Sequence, residues 1–165
     1  MDVTFVDMIR DAVANTQHGA EWRPGHCHHW LVGNGGSRAI CSHIATDMLK
    51  QKLSAFVVGD DSSLTMAAND HGYGEVFSRH IRYQARPGDT LIAISSSGNS
   101  ISIANAIVEA RGQRCGIVTF TGFSPDNPIR KMGDINYWIP SDNYGIVEIA
   151  TLTILHAIVN PGTIT

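Results

Sequence analysis

A glycine-rich turn between an apolar run and a helical run is the feature that most constrains this sequence. Residues 31–37 read LVGNGGS, and residues 38–43 (RAICSH) continue into a pattern typical of a helix. The glycines allow backbone angles that other residues resist, and they let a ligand approach the main chain closely. Ser37 lies near the predicted helix N-terminus, where free N–H groups and the helix dipole favour an anion. The spacing matches neither a P-loop nor a dinucleotide-binding fingerprint, so this turn alone identifies no ligand.

A second turn of the same kind follows at residues 94–100 (ISSSGNS). Its hydroxyls and the free N–H groups of the next helix can satisfy phosphate oxygens without lysine or arginine. Serine and asparagine are also favoured in ordinary caps and turns, so a single turn of this type would remain ambiguous. Two such turns predict a phosphate site, and its candidate residues are Gly35, Gly36, Ser37, Ser95, Ser96, Ser97 and Ser100.

Short apolar runs alternate with helical patterns along the chain. The sequence predicts strands at 31–33, 55–58, 90–94, 116–120 and 135–139, and helices at 3–15, 37–52, 75–83, 100–111 and 144–159. The connections at 17–27 and 122–133 are expected to be irregular, and a polar loop is expected from 61 to 74. This alternation predicts an α/β fold with an open parallel sheet and right-handed crossovers. Ligands of such sheets bind beyond the carboxyl ends of the strands, where both turns lie.

The composition excludes several function classes. The formal net charge is -3 and no run of basic residues occurs, which argues against a nucleic-acid surface. The three cysteines are widely spaced and form no CxxC pair, so a reducing cytoplasm is expected. The first residues do not resemble a signal peptide, and no apolar run is long enough to cross a bilayer. We therefore expect one cytoplasmic domain over residues 1–165, with neither nucleic-acid nor membrane partners.

Two pairs of ionisable residues in predicted helices are candidates for chemistry. His43 and Asp47 are four residues apart and share a helix face, where they could bind one divalent metal or simply hydrogen-bond to each other. Glu148 and His156 lie in a last helix so apolar that it is predicted to be buried. A buried ionisable group requires a partner, a metal or a function, which favours a functional interpretation of this second pair.

Two further features favour structural interpretations. His26, His28 and His29 form a cluster, but His28 and His29 would point to opposite faces of a strand, which disfavours a shared metal ion. Apolar residues recur at helical spacing over residues 3–15, which predicts a helix laid on the core or one that contacts another subunit.

Four stretches in order resemble the SIS (sugar isomerase) domain, and in particular its phosphoheptose isomerase branch. They are residues 33–37 (GNGGS), 68–73 (ANDHGY), 88–100 (GDTLIAISSSGNS) and the closing helix that carries Glu148 and His156. The likeness runs from about residue 31 to 159. It implies a three-layer α/β sandwich with a five-stranded, flavodoxin-like parallel sheet. It also implies a homotetramer whose active sites lie at subunit interfaces.

The resemblance further implies an activity and a set of site residues. The activity is the isomerisation of sedoheptulose 7-phosphate to D-glycero-D-manno-heptose 7-phosphate, assisted by zinc. By position, the family's phosphate-binding serines fall on Ser37, Ser95, Ser97 and Ser100. Its substrate-contacting residues fall on Asn34 and Asp70, its zinc-site histidine on His43 and its catalytic histidine on His156.

The sequence departs from the family pattern at three points. Asp47 stands where the family has its catalytic Glu, Glu148 stands where it has a zinc-binding Gln, and the chain before the first turn is shorter. We expect Asp47 to act as base and His156 as acid/base, with one zinc ion per subunit on His43, Asp47, Glu148 and His156. Glu148 and His156 are roughly 12 Å apart along a helix axis. Joint coordination therefore needs extended side chains or a neighbouring subunit.

The alternative is a non-catalytic SIS module. Such a module binds a sugar phosphate as a signal or binds another protein, as the replication initiator-associating protein of this fold does. It would keep the serine turns and could lose the acid/base pair. His156 and the carboxylate of Asp47 favour the enzyme.

Overall fold

Helices and strands alternate through residues 3–161, which the computed structural model describes, with only the backbone of Val3. The helices are α1 (Val3–Ala14), α2 (Gly36–Lys50), α3 (Asp61–His71), α4 (Ser78–Gln84), α5 (Ile101–Gly112) and α6 (Tyr144–Val159). The strands are β1 (Gln17–His18), β2 (His28–Gly33), β3 (Ser54–Val57), β4 (Thr90–Ser95), β5 (Gly116–Thr121) and β6 (Ile135–Trp138). Two short 3₁₀ helices span Tyr73–Glu75 and Ile129–Met132.

The strands form one sheet in the order β1-β6-β5-β4-β2-β3. The five strands β2 to β6 are parallel, and β3-β2-β4-β5-β6 is the flavodoxin-like order, which confirms the predicted architecture. The strand order reverses between β2 and β4. Because both glycine- and serine-rich turns follow these two strands, they open into the crevice where sheets of this type bind ligands.

Helices cover both faces of the sheet, so the fold has three layers. On one face, Ile44 and Met48 of α2 pack with Leu155 of α6. On the other face, Ile81 of α4 packs with Ile103 of α5. Helix α2 presents an apolar stripe at helical spacing (Ile40, Ile44 and Met48), and all three residues are buried.

The polar loop predicted from 61 to 74 is wrong, because residues 61–71 form helix α3. Asp60 caps this helix by accepting a hydrogen bond from the Ser63 N–H at 2.8 Å. Ala67 is its one buried residue, so the sequence has no apolar stripe that would indicate a helix. The helix predicted at 75–83 is instead a 3₁₀ turn at Tyr73–Glu75 followed by α4.

Two connections also contain structure that was not predicted. Within 17–27, Gln17 and His18 pair antiparallel with β6, a two-residue contact too short to leave a sequence pattern. Within 122–133, residues Ile129–Met132 form a 3₁₀ helix.

Helix α6 is less buried than predicted. Tyr144 is 57% exposed and Ile149 is 41% exposed, so one side of this apolar helix faces outward from the chain. Another side packs against α1, as one of the two interpretations of the first helix predicts. The other interpretation, a subunit contact, stays a prediction.

The described part of the chain agrees with two simple sequence expectations. Cys27, Cys41 and Cys115 are all free thiols. No helix within residues 3–161 combines the length and the apolar character that a membrane span requires.

Candidate active site

A cleft of about 310 Å³ lies beyond the carboxyl ends of β2 and β4. It brings together all the predicted phosphate-site residues from both turns. Its lining consists of Asn34, Gly35, Gly36, Ser37, Ile94, Ser95, Ser96, Ser97, Ser100, Tyr144 and Glu148. Ile94, Tyr144 and the location of Glu148 were not predicted. Tyr144 begins the last helix, and no signal in the sequence connects that position with the turns.

The serine-rich turn is held in place by tight packing around Gly98. The φ angle of Gly98 is +69°, and a Cβ atom there would collide with the side chain of Asn127. Asn127 is itself fixed, because its amide donates to the Ser124 carbonyl at 2.8 Å and its Oδ1 accepts from the Arg130 N–H at 2.8 Å. Ser95 Oγ and Ser100 Oγ lie 3.3 Å apart across the turn. The hydroxyls therefore sit on a rigid backbone.

The cleft has hydroxyl and backbone N–H donors but no cationic side chain, and Glu148 brings a carboxylate into it. No lysine or arginine is among its lining residues. Arg38, the nearest arginine in sequence, instead donates to the carbonyls of Val58 and Gly59 at the end of β3. Neither Gly35 at the start of α2 nor Ser100 at the start of α5 makes a side-chain cap. The N–H groups and dipoles of both helices are thus available to a phosphate, as predicted.

Glu148 lies in this cleft and not beside the other candidate metal ligands. A Cβ atom at Gly36 would be 2.5 Å from Glu148 Oε1, so the carboxylate sits directly over the glycine-rich turn. No other residue of the described chain forms an ion pair or hydrogen bond with it. Of the four predicted metal ligands, Glu148 is the one that the fold of a single chain keeps apart.

The remaining three ligands converge between α2 and α6. One ligand atom from each of His43, Asp47 and His156 lies within 4.8 Å of the others. His156 Nδ1 is 3.1 Å from Asp47 Oδ2, and His43 Nε2 is 3.7 Å from the same oxygen. The two imidazole rings meet edge to face at 4.9 Å. Two imidazole nitrogens and one carboxylate oxygen form a donor set typical of catalytic zinc, which keeps a further position open.

Lys50 forms an ion pair with Asp47. Its ammonium donates to Asp47 Oδ1 at 2.9 Å and lowers the pKa of that carboxyl group. Burial opposes this shift in pKa, and the nearby His156 and His43 reinforce it. Asp47 is therefore ionised at neutral pH, which suits a metal ligand.

Asp70, the remaining predicted substrate contact, lies outside the cleft. It is exposed near the end of α3, where Asn69 donates to its carboxylate at 2.8 Å. The motif that contains it reaches the cleft through Tyr73 instead, since the Tyr73 hydroxyl donates to Asn34 Oδ1 at 2.6 Å.

A larger depression of about 620 Å³ lies at the opposite, amino-terminal end of the sheet, lined in part by His26, Cys27 and His28. None of the described residues that line it belongs to a glycine-rich turn leading into a helix, which is the feature that the smaller cleft offers to an anion. His28 is exposed and His29 is buried, as expected for neighbours on a strand.

Comparison with known proteins finds phosphoheptose isomerases among the proteins that this chain resembles. The SIS domain family profile matches residues 25–122. A phosphoheptose isomerase of Mycobacterium tuberculosis is 37% identical over 136 residues, which cover 78% of this chain and 69% of that protein. A phosphoheptose isomerase of Thiobacillus denitrificans is 36% identical over 132 residues, covering 74% of this chain and 67% of that protein.

A solved structure extends the likeness to the whole fold. The phosphoheptose isomerase from Neisseria gonorrhoeae superposes with a TM-score of 0.79 at 27% sequence identity. The superposition covers 96% of this chain and 83% of the other.

Proposed function

This chain belongs to the SIS domain family, and from that membership we propose that it is a sugar-phosphate isomerase that converts sedoheptulose 7-phosphate to D-glycero-D-manno-heptose 7-phosphate. The observation that carries the proposal is the cleft at the switch point of the sheet. It offers an anion two helix N-termini without side-chain caps and a lining with five serines, with no cationic side chain. The relatives that share this fold at 36–37% identity are named phosphoheptose isomerases.

We assign the phosphate to the two turns. Ser37, Ser95, Ser97 and Ser100 would donate hydroxyl hydrogen bonds, and the backbone around Gly35 and Gly36 would approach the phosphate oxygens. The sugar chain then extends from the turns past Asn34. Asp70 would contact substrate only if the end of α3 moves toward the cleft.

We assign the proton transfers to Asp47 and His156. Asp47, ionised at neutral pH, takes the proton from C1 of the ketose and returns it to C2. His156 donates a proton to O2 and accepts one from O1, so the carbonyl moves from C2 to C1 with no net gain or loss of protons. Because a lowered pKa weakens Asp47 as a base, the rate depends strongly on how closely the substrate carbon is held against it.

We propose that His43, Asp47 and His156 also hold one zinc ion per subunit. Their three donor atoms are close enough to share one ion, and their chemistry fits a catalytic zinc site. When bound, the ion supplies positive charge beside the substrate's carbonyl oxygen. Lys50 favours the ionised form of Asp47 that such coordination requires.

We further propose that the protein is a homotetramer, with each active site shared between copies. Within one chain, Glu148 of the cleft and His156 of the ligand group are separated by roughly 12 Å along α6. The outward side of α6, with Tyr144 and Ile149 exposed, is an apolar surface suited to a second copy. A neighbouring chain would then bring its His43–Asp47–His156 group to this cleft. Glu148 of the first chain would there become the fourth ligand of that metal site. Light scattering at micromolar concentration tests the assembly.

The experiment that tests the function is an assay with sedoheptulose 7-phosphate. The protein is stripped with a chelator, supplied or not with zinc, and the aldose is followed by NMR. We expect aldose to form with zinc and to fall sharply without it. Binding of the sugar phosphate without any aldose formation would instead favour the non-catalytic module, which the relatives do not support.

A cytoplasmic location is consistent with three free cysteines.

A further inference from the structure

The side chain of Asn34 is clamped from two directions at the mouth of the cleft. Its Nδ2 donates to Ser102 Oγ at 3.0 Å, in the first turn of α5. Its Oδ1 accepts from the Tyr73 hydroxyl at 2.6 Å, in the 3₁₀ helix that follows α3. Residues from two separate elements therefore determine how this one amide is oriented.

These contacts leave part of the amide free. An asparagine amide offers two N–H donors and two acceptor lone pairs. Ser102 uses one donor and Tyr73 uses one lone pair, so one N–H and one lone pair remain for a ligand. A sugar hydroxyl is both a donor and an acceptor, and it can pair with both at once.

We propose that Tyr73 is a positioning residue for sugar-phosphate binding, which holds the Asn34 amide in the orientation that receives the sugar hydroxyls. The inference rests on the proposed function for its substrate. It assigns the role of the motif at residues 68–73 to the Tyr73 hydroxyl and not to Asp70, which does not line the cleft.

The surroundings of Tyr73 argue against a mainly structural role. Its side chain is 61% exposed, and Asn34 Oδ1 is the one hydrogen-bond acceptor of its hydroxyl within the described chain. Removing that hydroxyl opens no buried cavity and leaves no buried polar group unpaired, since Asn34 is at the cleft surface. The effect of its loss should therefore appear in ligand binding and not in stability.

The test compares Tyr73→Phe with a matched control. Tyr83→Phe makes the same chemical change in an equally exposed tyrosine, whose hydroxyl accepts from Arg79 at 3.0 Å. For Tyr73→Phe we expect the Kd for sedoheptulose 7-phosphate to rise about fivefold, as for loss of one orienting hydrogen bond. The Kd for inorganic phosphate should change less than twofold, because the serine turns are untouched. Tyr83→Phe and the melting temperatures should match the parent.

A double-mutant cycle with Asn34→Ala separates positioning from direct contact. If Tyr73 acts through Asn34, adding Tyr73→Phe to Asn34→Ala should change the Kd for the sugar phosphate no further. An unchanged Kd in Tyr73→Phe, or the same fivefold effect in the Asn34→Ala background, overturns the inference. If the parent binds the sugar phosphate without isomerising it, the proposed function fails while the binding data still decide the role of Tyr73. A parent that binds no sugar phosphate overturns both.

Discussion

The phosphate cleft and the His43–Asp47–His156 group are built by different parts of the chain. The cleft is centred on two glycine- and serine-rich turns at the ends of two neighbouring strands, and α6 adds Tyr144 and Glu148. The ligand group is formed by side chains alone, projecting from α2 and α6. The cleft has no cationic side chain, whereas the ligand group combines a carboxylate and two imidazoles, with the Lys50 ammonium paired to the carboxylate.

This difference predicts how each region responds to substitution. In the proposed complex several hydroxyl and N–H donors would share the phosphate, so the loss of one should weaken binding moderately. The ligand group has one residue for each task, so the loss of one should remove the chemistry. If the two regions are separate parts of one active site, damage to either should leave the other intact.

The largest effect is expected for His156→Ala. Loss of an acid/base group costs about 10²–10⁴-fold in rate, so kcat/KM for sedoheptulose 7-phosphate should fall by that amount. The Kd for inorganic phosphate should change less than twofold, because His156 does not line the cleft. His26→Ala, an exposed histidine at the opposite end of the sheet, is the control. An equal loss of phosphate affinity would show that the two regions are not separable.

Gly98→Ala should damage the cleft and spare the ligand group. The positive φ angle and the collision with Asn127 should lower the free energy of unfolding by about 2–3 kcal/mol. The distorted turn should bind phosphate at least tenfold more weakly, while zinc content stays at the parent's level. Gly112→Ala is the control, since a Cβ atom there meets nothing within 4 Å. Parent-like phosphate binding in Gly98→Ala would mean that the turn does not bind phosphate.

Ser97→Ala should have a moderate effect on one region only. Its hydroxyl is one of several donors, so we expect the Kd for sugar phosphate to rise about three- to tenfold. The free energy of unfolding should stay within about 0.5 kcal/mol of the parent, as for most surface changes. Ser62→Ala on α3 is the matched control. Isothermal titration measures the Kd of both variants, and urea unfolding measures their free energy of unfolding. If the parent binds phosphorylated and unphosphorylated sugar equally well, the phosphate site does not exist.

The smallest effect is expected for Lys50→Met in metal-free protein. Lys50 lowers the pKa of Asp47 in the folded state. This shift stabilises the folded protein at pH values above the pKa that the carboxyl has in the unfolded chain. The stabilisation is lost as the pH falls through the lower pKa of the folded state. The substitution should therefore destabilise the protein at pH 7 and not at acid pH. Because Lys50 is exposed, we expect a difference of at most about 0.5–1 kcal/mol. Urea unfolding at both pH values measures it, with Lys52→Met as control. If Lys50→Met also has a lower free energy of unfolding than the parent at acid pH, this account of Asp47 is contradicted.

The sequence was sufficient to predict the architecture and the cleft. Short apolar runs that alternate with helical patterns predict a parallel sheet. The glycines and serines at residues 31–37 and 94–100 predict the two turns. Helix α3 was missed because its stability comes from the Asp60 cap and not from an apolar stripe. The exposed side of α6 was missed because an apolar composition predicts that a helix is buried. It does not indicate whether the helix is covered by its own chain or by a second copy.

The parts of the site that depend on tertiary placement could not be predicted. Spacing brought His43 and Asp47 together correctly, and the resemblance added His156. The resemblance also grouped Glu148 with them. Glu148 is eight residues from His156 along α6, however, and its carboxylate lies in the cleft. The contact between Tyr73 and Asn34 joins residues 39 positions apart, and no periodicity reports such a pair.

The most direct test of a shared active site is to mix two inactive variants. Ser97→Asp places a negative charge in the cleft and should block phosphate binding, and His156→Ala should remove the proton transfer. The two are unfolded together at equal amounts, refolded as mixed oligomers and assayed with zinc and sedoheptulose 7-phosphate. If each site takes its cleft from one copy and its ligand group from another, about a quarter of the sites are intact, and about a quarter of the parent's activity should return. A mixture as inactive as each variant alone, in oligomers that light scattering shows to be mixed, would contradict the account.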